Sequence, residues 1–335
     1  MWKVTERRND IDEAKGLAIL LVVFGHLVAR AYPANVGWYE QLRRSVYAFH
    51  MPFFFYLSGF TAALSGMLDS RRTELLGLAP ARARRLLLPF VGMGLLVVAG
   101  KAAASRFIFV DNVPPGLLPG LQALVWNTAR SPSLSIWYLF VLFVLSLGTV
   151  ALLDGRMQRL PWLLGGALLL FSVPVPPYIY LDRVATFAPF FLMGALARFA
   201  GIRWEGIIDR FWPLAMAVFL AVLFGVALGG RDAKGLTLML AGTISLPALH
   251  GCLRNLRTNW LQRGLLTLGR YSFIIYLFNT LFIGATKGLL LFAWSWDGPH
   301  FPAFACALMS GGLAGPIMLK RYALRRFRVL DRLTD

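Results

Sequence analysis

Ten stretches of about twenty residues, each nearly free of charge, divide this sequence. They run roughly over 13–32, 46–67, 86–108, 135–153, 161–178, 183–200, 211–229, 236–252, 265–292 and 302–320. A bilayer core of about 30 Å is crossed by that many residues in a helix. A backbone in lipid must satisfy its own hydrogen bonds, which for single stretches of this length means helices. The expected fold is therefore all-α: a polytopic integral membrane bundle of about ten transmembrane helices. Composition agrees, because 58% of the 335 residues are hydrophobic and only 15% are charged. A soluble chain would be near half apolar and a quarter charged. The 26 Phe and 10 Trp suit lipid-facing and interfacial positions.

A formal net charge of +18 raises nucleic acid as a partner. Position argues against it, because the cations lie between apolar stretches and form no interleaved aromatic and basic surface. They alternate instead. One side holds Lys3, Arg7 and Arg8, then Arg71, Arg72, Arg82, Arg84 and Arg85, then Arg156 and Arg159. The same side continues with Arg198, Arg203 and Arg210, with Arg254, Arg257 and Arg263, and with Lys320, Arg321, Arg325, Arg326, Arg328 and Arg332. The other side has scattered cations such as Arg43, Arg44, Arg130, Arg231 and Lys234. The positive-inside rule then puts both termini in the cytoplasm. Ala29-Arg30-Ala31 mimics a cleavage site, but Asp10, Asp12 and Glu13 are foreign to a signal n-region, so the first stretch reads as an uncleaved anchor. The chain reads as one domain over 1–335, with an outer loop at 109–134 and a basic cytoplasmic tail at 321–335. The loop is rich in Pro and Gly, and its length suits a lid or a binding surface. The expected topology puts Cys252 and Cys306 near opposite faces, which argues against a disulfide between them, and no metal-ligand spacing exists. Oligomeric state is left open, a homodimer included.

Within this frame the stretch from Arg8 to Arg30, RNDIDEAKGLAILLVVFGHLVAR, stands out. As a helix it places Lys15 and His26 on nearly one face, about 16 Å apart along the axis, with Asp12 one turn before Lys15. An imidazole at membrane depth is a functional hypothesis by default, although helix-to-helix hydrogen bonding is the simpler use for it. FHMPFFFYLSGF, Phe49 to Phe60, opens the second stretch from the outer side. A short connection makes the two helices neighbours, so His26 and His50 converge at similar depth. Pro52 is tolerated near a helix start. Ser58-Gly59 reads as a small pair for close packing. The chain could also carry a transporter or flippase, but its carboxylates fall at the edges of the apolar stretches, and proton coupling usually needs one inside. His250 and His300 receive no role.

The motifs Asp12, Lys15 and Gly25-His26, then Phe49-His50-Met51-Pro52 and Leu57-Ser58-Gly59, resemble the membrane acyltransferase 3 family. The closer likeness is to its fucose 4-O-acetyltransferase-like, exopolysaccharide O-acetyltransferase branch. RARRLLLP (Arg82 to Pro89), SIWYLF (Ser135 to Phe140) and GRYSFIIYLF (Gly269 to Phe278) match later family segments in the right order. Two positions depart from the pattern: Lys15 stands where Arg is commonest, and Asn279 stands where many relatives carry His.

The resemblance implies transfer of an acyl group, usually acetyl, from cytoplasmic acyl-CoA (acetyl-CoA) to a hydroxyl of an outer or lipid-linked sugar. Localisation would be the bacterial inner membrane. It implies His26 and His50 as catalytic residues, with His26 the general base or a covalent acyl carrier; both routes stay open. Lys15, Arg82, Arg84 and Arg85 would face the phosphates of coenzyme A, although the arginines also serve topology. Asp12 would support Lys15. Trp137, Tyr138 and Asn279 would line the acceptor site, and the two aromatics equally suit an interfacial belt. No metal is implied.

Overall fold

The computed structural model describes residues 8–28, 32–106, 116–126, 128, 136–230, 232–256, 259–327, 330, 331 and 334. It is all-helical, with no strand among the described residues. In chain order the helices are α1 (Asn9–Gly25), α2 (Gly37–Tyr47), α3 (His50–Leu64), α4 (Leu75–Ala104), α5 (Leu117–Val125), α6 (Trp137–Leu153) and α7 (Leu160–Phe171). They continue as α8 (Leu181–Ala200), α9 (Ile202–Gly229), α10 (Leu236–Asn255), α11 (Asn259–Arg270), α12 (Ser272–Leu290) and α13 (Phe301–Tyr322).

Each of the ten expected stretches holds a helix, but the helices are of two kinds. Among the described residues, α4, α8, α9, α10, α12 and α13 are long and apolar enough to cross a membrane. The chain is a multi-pass membrane protein. The other four are shorter: α1 has 17 residues, α3 15, α6 17 and α7 12. At 1.5 Å per residue α3 reaches about 22 Å and α7 about 18 Å, less than the bilayer core. α6 and the segment 157–171 qualify together as one span bent by 110°. The bend sits where Asp154 and Gly155 take positive φ, 51° and 71°. The Asp154 carboxylate there accepts the Arg72 amide at 2.9 Å.

Three boundaries differ from the sequence expectation. The first stretch was drawn to residue 32, yet α1 stops at Gly25, because side chains of α2 take its last carbonyls. The stretch 265–292 is split at Tyr271: α11 carries a polar face with Gln262, Arg263, Thr267 and Arg270, and α12 carries the apolar run. The 109–134 segment, drawn as a loop, contains α5, whose LLPGLQALV is apolar enough to pack. Residues 109–115, 127 and 129–134 lie outside the described residues.

The chain forms two compact units. The first is built on Ser58–Phe199. Here α4 packs on α5 and α6, and Gly94 admits the Leu124 side chain to 2.3 Å of where a Cβ would stand. Gly59 meets the Phe191 carbonyl at 1.8 Å on the same measure, so it performs the close approach expected of the Ser58-Gly59 pair. The second unit comprises Glu6–Leu57 and Ala200–Asp335. Its central helix is α1, in contact with α2, α10, α11, α12 and α13. The crossing with α11 is very tight: a Cβ on Gly16 would lie 2.0 Å from the Leu265 carbonyl oxygen, and one on Gly269 would lie 1.8 Å from that of Asp12. Phe49, Phe219 and Ala248 form an apolar cluster in this unit. In the basic tail expected at 321–335, Thr334 meets α13, with buried Lys320 donating to its carbonyl at 3.0 Å.

Candidate active site

The site is built where α1 ends. A helix terminus leaves carbonyls without intrahelical donors, and at membrane depth they must find partners in the protein. α2 supplies them. Tyr39 donates to the Phe24 carbonyl at 2.8 Å. Arg43 Nε and the Tyr47 hydroxyl both donate to the Gly25 carbonyl, at 3.0 and 3.2 Å. His26 is the next residue and caps the helix at φ −95°, ψ 0°. The capping turn therefore holds the imidazole at a clamped helix end, which differs from the mid-helix position that the apolar run suggested.

Asn279 of α12 fixes the ring. It is fully buried, and its Nδ2 donates to the carbonyls of Ile275 and Tyr276, both at 2.9 Å. With the amide nitrogen so used, Oδ1 faces His26 Nδ1 at 2.9 Å and can only accept. His26 therefore carries its proton on Nδ1, and Nε2 keeps the lone pair. His50 is set the same way. Its Nδ1 lies 2.9 Å from the Val46 carbonyl, an acceptor only, so Nε2 is again the basic nitrogen. The Tyr47 ring packs on His50 at 4.8 Å, and Tyr47 also holds the Gly25 carbonyl. One tyrosine thus contacts the surroundings of both imidazoles, which belong to one unit.

At the other end of α1, Lys15 Nζ lies 3.6 Å from Asp12 Oδ1 and is partly exposed. Nearby, Arg8 forks onto Asp10 with contacts of 3.1 and 2.5 Å. Burial would raise the Asp10 carboxyl, but hydrogen bonds from His250 and Arg8 outweigh it and hold the group well below the usual carboxylate range. His250, given no role from sequence, is buried in a chain of bonds. Its Nε2 faces Asp10 at 3.4 Å, its Nδ1 accepts from Tyr56 at 2.7 Å, and Tyr56 accepts from Trp204 at 3.0 Å. A cavity of about 610 Å³ opens beside this chain, lined by Asn9, Asp10, Glu13, Arg254, Gln262 and Arg263 among others.

The remaining expected residues belong to the other unit. Arg82 Nε approaches Ser146 Oγ at 3.4 Å, and Arg84 and Arg85 are exposed. Tyr138 is buried and shares a 2.6 Å hydrogen bond with Ser58, which gives Ser58 a polar partner beyond packing. Trp137 is buried too, stacked on Phe187 at 5.2 Å with the Arg183 guanidinium 4.2 Å from its ring. Neither aromatic is an exposed belt residue. Asn279, expected to meet the acceptor, hydrogen-bonds His26. Sequence reasoning passed over Arg43 and Tyr47 because it treated the short connection as a linker. The only signal was Arg43 itself, a cation on the side otherwise poor in them.

An ordered imidazole with a free Nε2, on a helix with a cation at its far mouth, fits proton transfer during acyl transfer. Comparison with known sequences agrees: the acyltransferase domain family matches residues 8–321, and this chain belongs to that family. Among curated proteins it is similar to the Nodulation protein NolL of Sinorhizobium fredii (strain NBRC 101917 / NGR234), 35% identical over 116 residues, or 34% of this chain and 30% of the relative. It is also similar to the Nodulation protein NolL of Mesorhizobium japonicum (strain LMG 29417 / CECT 9101 / MAFF 303099), 31% identical over 141 residues, or 42% and 35%. The match spans about a third of the length of these relatives. No solved structure matches.

Proposed function

We propose that this protein is an O-acetyltransferase of a bacterial inner membrane. It moves acetyl from cytoplasmic acetyl-CoA to a hydroxyl of a sugar on the outer side. The observation that carries the reading is the His26–Asn279 pair, which leaves His26 Nε2 as a base. Nε2 takes the proton of the acceptor hydroxyl as its oxygen attacks the thioester carbonyl. The C–S bond breaks, and the leaving thiolate receives that proton from the imidazolium to give free CoA. His50 Nε2 orients the hydroxyl. Lys15, about 16 Å from His26 along α1, meets a phosphate of the donor, and Asp12 steers its ammonium. Arg82, Arg84 and Arg85 supply further positive charge for the donor.

The test uses detergent-purified protein, acetyl-CoA, methyl fucoside beside a panel of other glycosides, and release of free CoA. Wild type should acetylate at least one glycoside. His26→Asn should lower turnover by about 10²–10⁴. Near-full turnover by that variant would remove His26 from the chemistry.

A further inference from the structure

The Arg43 side chain is not needed to hold α2 as a helix, yet five contacts converge on it. Its Nε donates to the Gly25 carbonyl at 3.0 Å. One terminal nitrogen donates to the Tyr32 hydroxyl and the other to the Tyr47 hydroxyl, the latter at 3.4 Å. The guanidinium carbon lies 4.8 Å from the Tyr47 ring centre and 5.7 Å from that of Tyr32. Tyr47 passes the contact on, because its hydroxyl donates to Gly25 and its ring packs on His50. No slack exists at this point: a Cβ on Gly25 would lie 2.7 Å from Tyr47 Cε2. One planar fork therefore touches both the peptide that precedes His26 and the ring that backs His50. A cation at a helix C-terminus is favourable in itself, but a point charge would serve that purpose. The fork geometry is what only arginine provides.

We propose that Arg43 is a positioning residue for acyl transfer, holding His26 and His50 in register through Gly25 and Tyr47. The inference rests on the catalytic reading of His26. A displacement of about 1 Å at a reacting group can cost 10²-fold, so the effect belongs in turnover and leaves donor binding alone.

Two measurements on the full chain test it. In the acetyl-CoA assay, Arg43→Lys should fold, keep KM for acetyl-CoA within about twofold and lose about ten- to a hundredfold in kcat. Arg43→Ala should lose more, and added guanidinium ion should restore part of it. Arg43→Lys should slow His26→Asn by less than it slows the wild type, because part of the clamp acts through His26. The second measurement is independent of activity: mass spectrometry of the rate at which diethyl pyrocarbonate modifies His26 and His50. Arg43→Lys should change that rate several-fold at unchanged melting temperature. If Arg43→Ala does not fold, Arg43→Lys and Tyr47→Phe carry the same comparison. Turnover and modification rates equal to wild type in Arg43→Lys would overturn the inference and leave the role of His26 standing. Loss of the His26→Asn effect would instead remove the catalytic reading, and the modification rates would still decide the clamp.

Discussion

Single residues carry the chemistry, and they differ in how visible they were before the fold. His26 and His50 stand out because an imidazole in an apolar run needs a reason. Asn279 did not declare its role, because its partner lies 253 residues away and its own helix disguises it as an ordinary amide. Removing its Oδ1 frees the Nδ1–H of His26 to turn. Asn279→Ala should therefore lower kcat by roughly tenfold, the worth of one neutral hydrogen bond, with KM for acetyl-CoA unchanged in steady-state kinetics. Asn279→Asp keeps an acceptor and should retain more activity. On the proposed reading Lys15 meets a phosphate of the donor. A charge-assisted contact is worth about 1.5–3 kcal/mol, so Lys15→Ala should raise KM for acetyl-CoA about ten- to a hundredfold, and Lys15→Arg should be milder. An unchanged KM with a lower kcat would assign Lys15 to its pairing with Asp12 alone.

Helices were legible as elements but their ends were not. α1 looked longer because Leu27 and Val28 continue the apolar run, and only the side chains of α2 reveal that the helix stops at Gly25. Likewise α11 and α12 merged in sequence because a polar face on α11 interrupts hydrophobicity without a Pro or Gly–Pro break. The glycines show what the crossings require. Gly16→Ala would push a methyl into the Leu265 carbonyl, so α11 must retreat. Overpacking of this kind costs about 1–3 kcal/mol, and the melting temperature in detergent should fall by several degrees. Gly264→Ala is the control, because nothing lies within 4 Å of a Cβ there and the helix gains a better former. Equal melting curves for the two variants would show that the α1–α11 contact is looser than described. The cluster around Asp10 makes a pH prediction at the same scale. Its carboxyl titrates lower in the folded protein than in the unfolded chain. The stability it contributes is thus complete above about pH 4 and drains away as pH falls further. Thermal melts of wild type and Asp10→Asn should be furthest apart above about pH 4 and draw together progressively as pH falls below it.

The whole molecule was legible as a class and less so as an architecture. Ten apolar stretches are ten helices, but six are full length and four are short, and hydropathy cannot tell a complete crossing from a helix that ends partway. His26 at the end of α1 and His50 at the start of α3 belong to one compact unit, where side chains can replace the missing backbone partners. Irregular backbone at membrane depth is tolerated only when buried in protein or lining a cavity, which is consistent with the proposed use of these helix ends. If the ten helices alternate in direction as the arginine pattern requires, the connection 69–85 and the segment 109–134 must emerge on opposite sides. The first holds Arg71, Arg72, Arg82, Arg84 and Arg85, and the second holds only Arg130. The experiment replaces Cys252 and Cys306, both free, and introduces single cysteines in each segment. Inverted and right-side-out vesicles are then treated with a membrane-impermeant maleimide. Cysteines in 69–85 should label only in inverted vesicles, and those in 109–134 only in right-side-out ones. Labelling of both from one side would mean that α4 does not complete a crossing. The short helices would then have to be re-entrant, and His26 would be reached from the same side as Lys15.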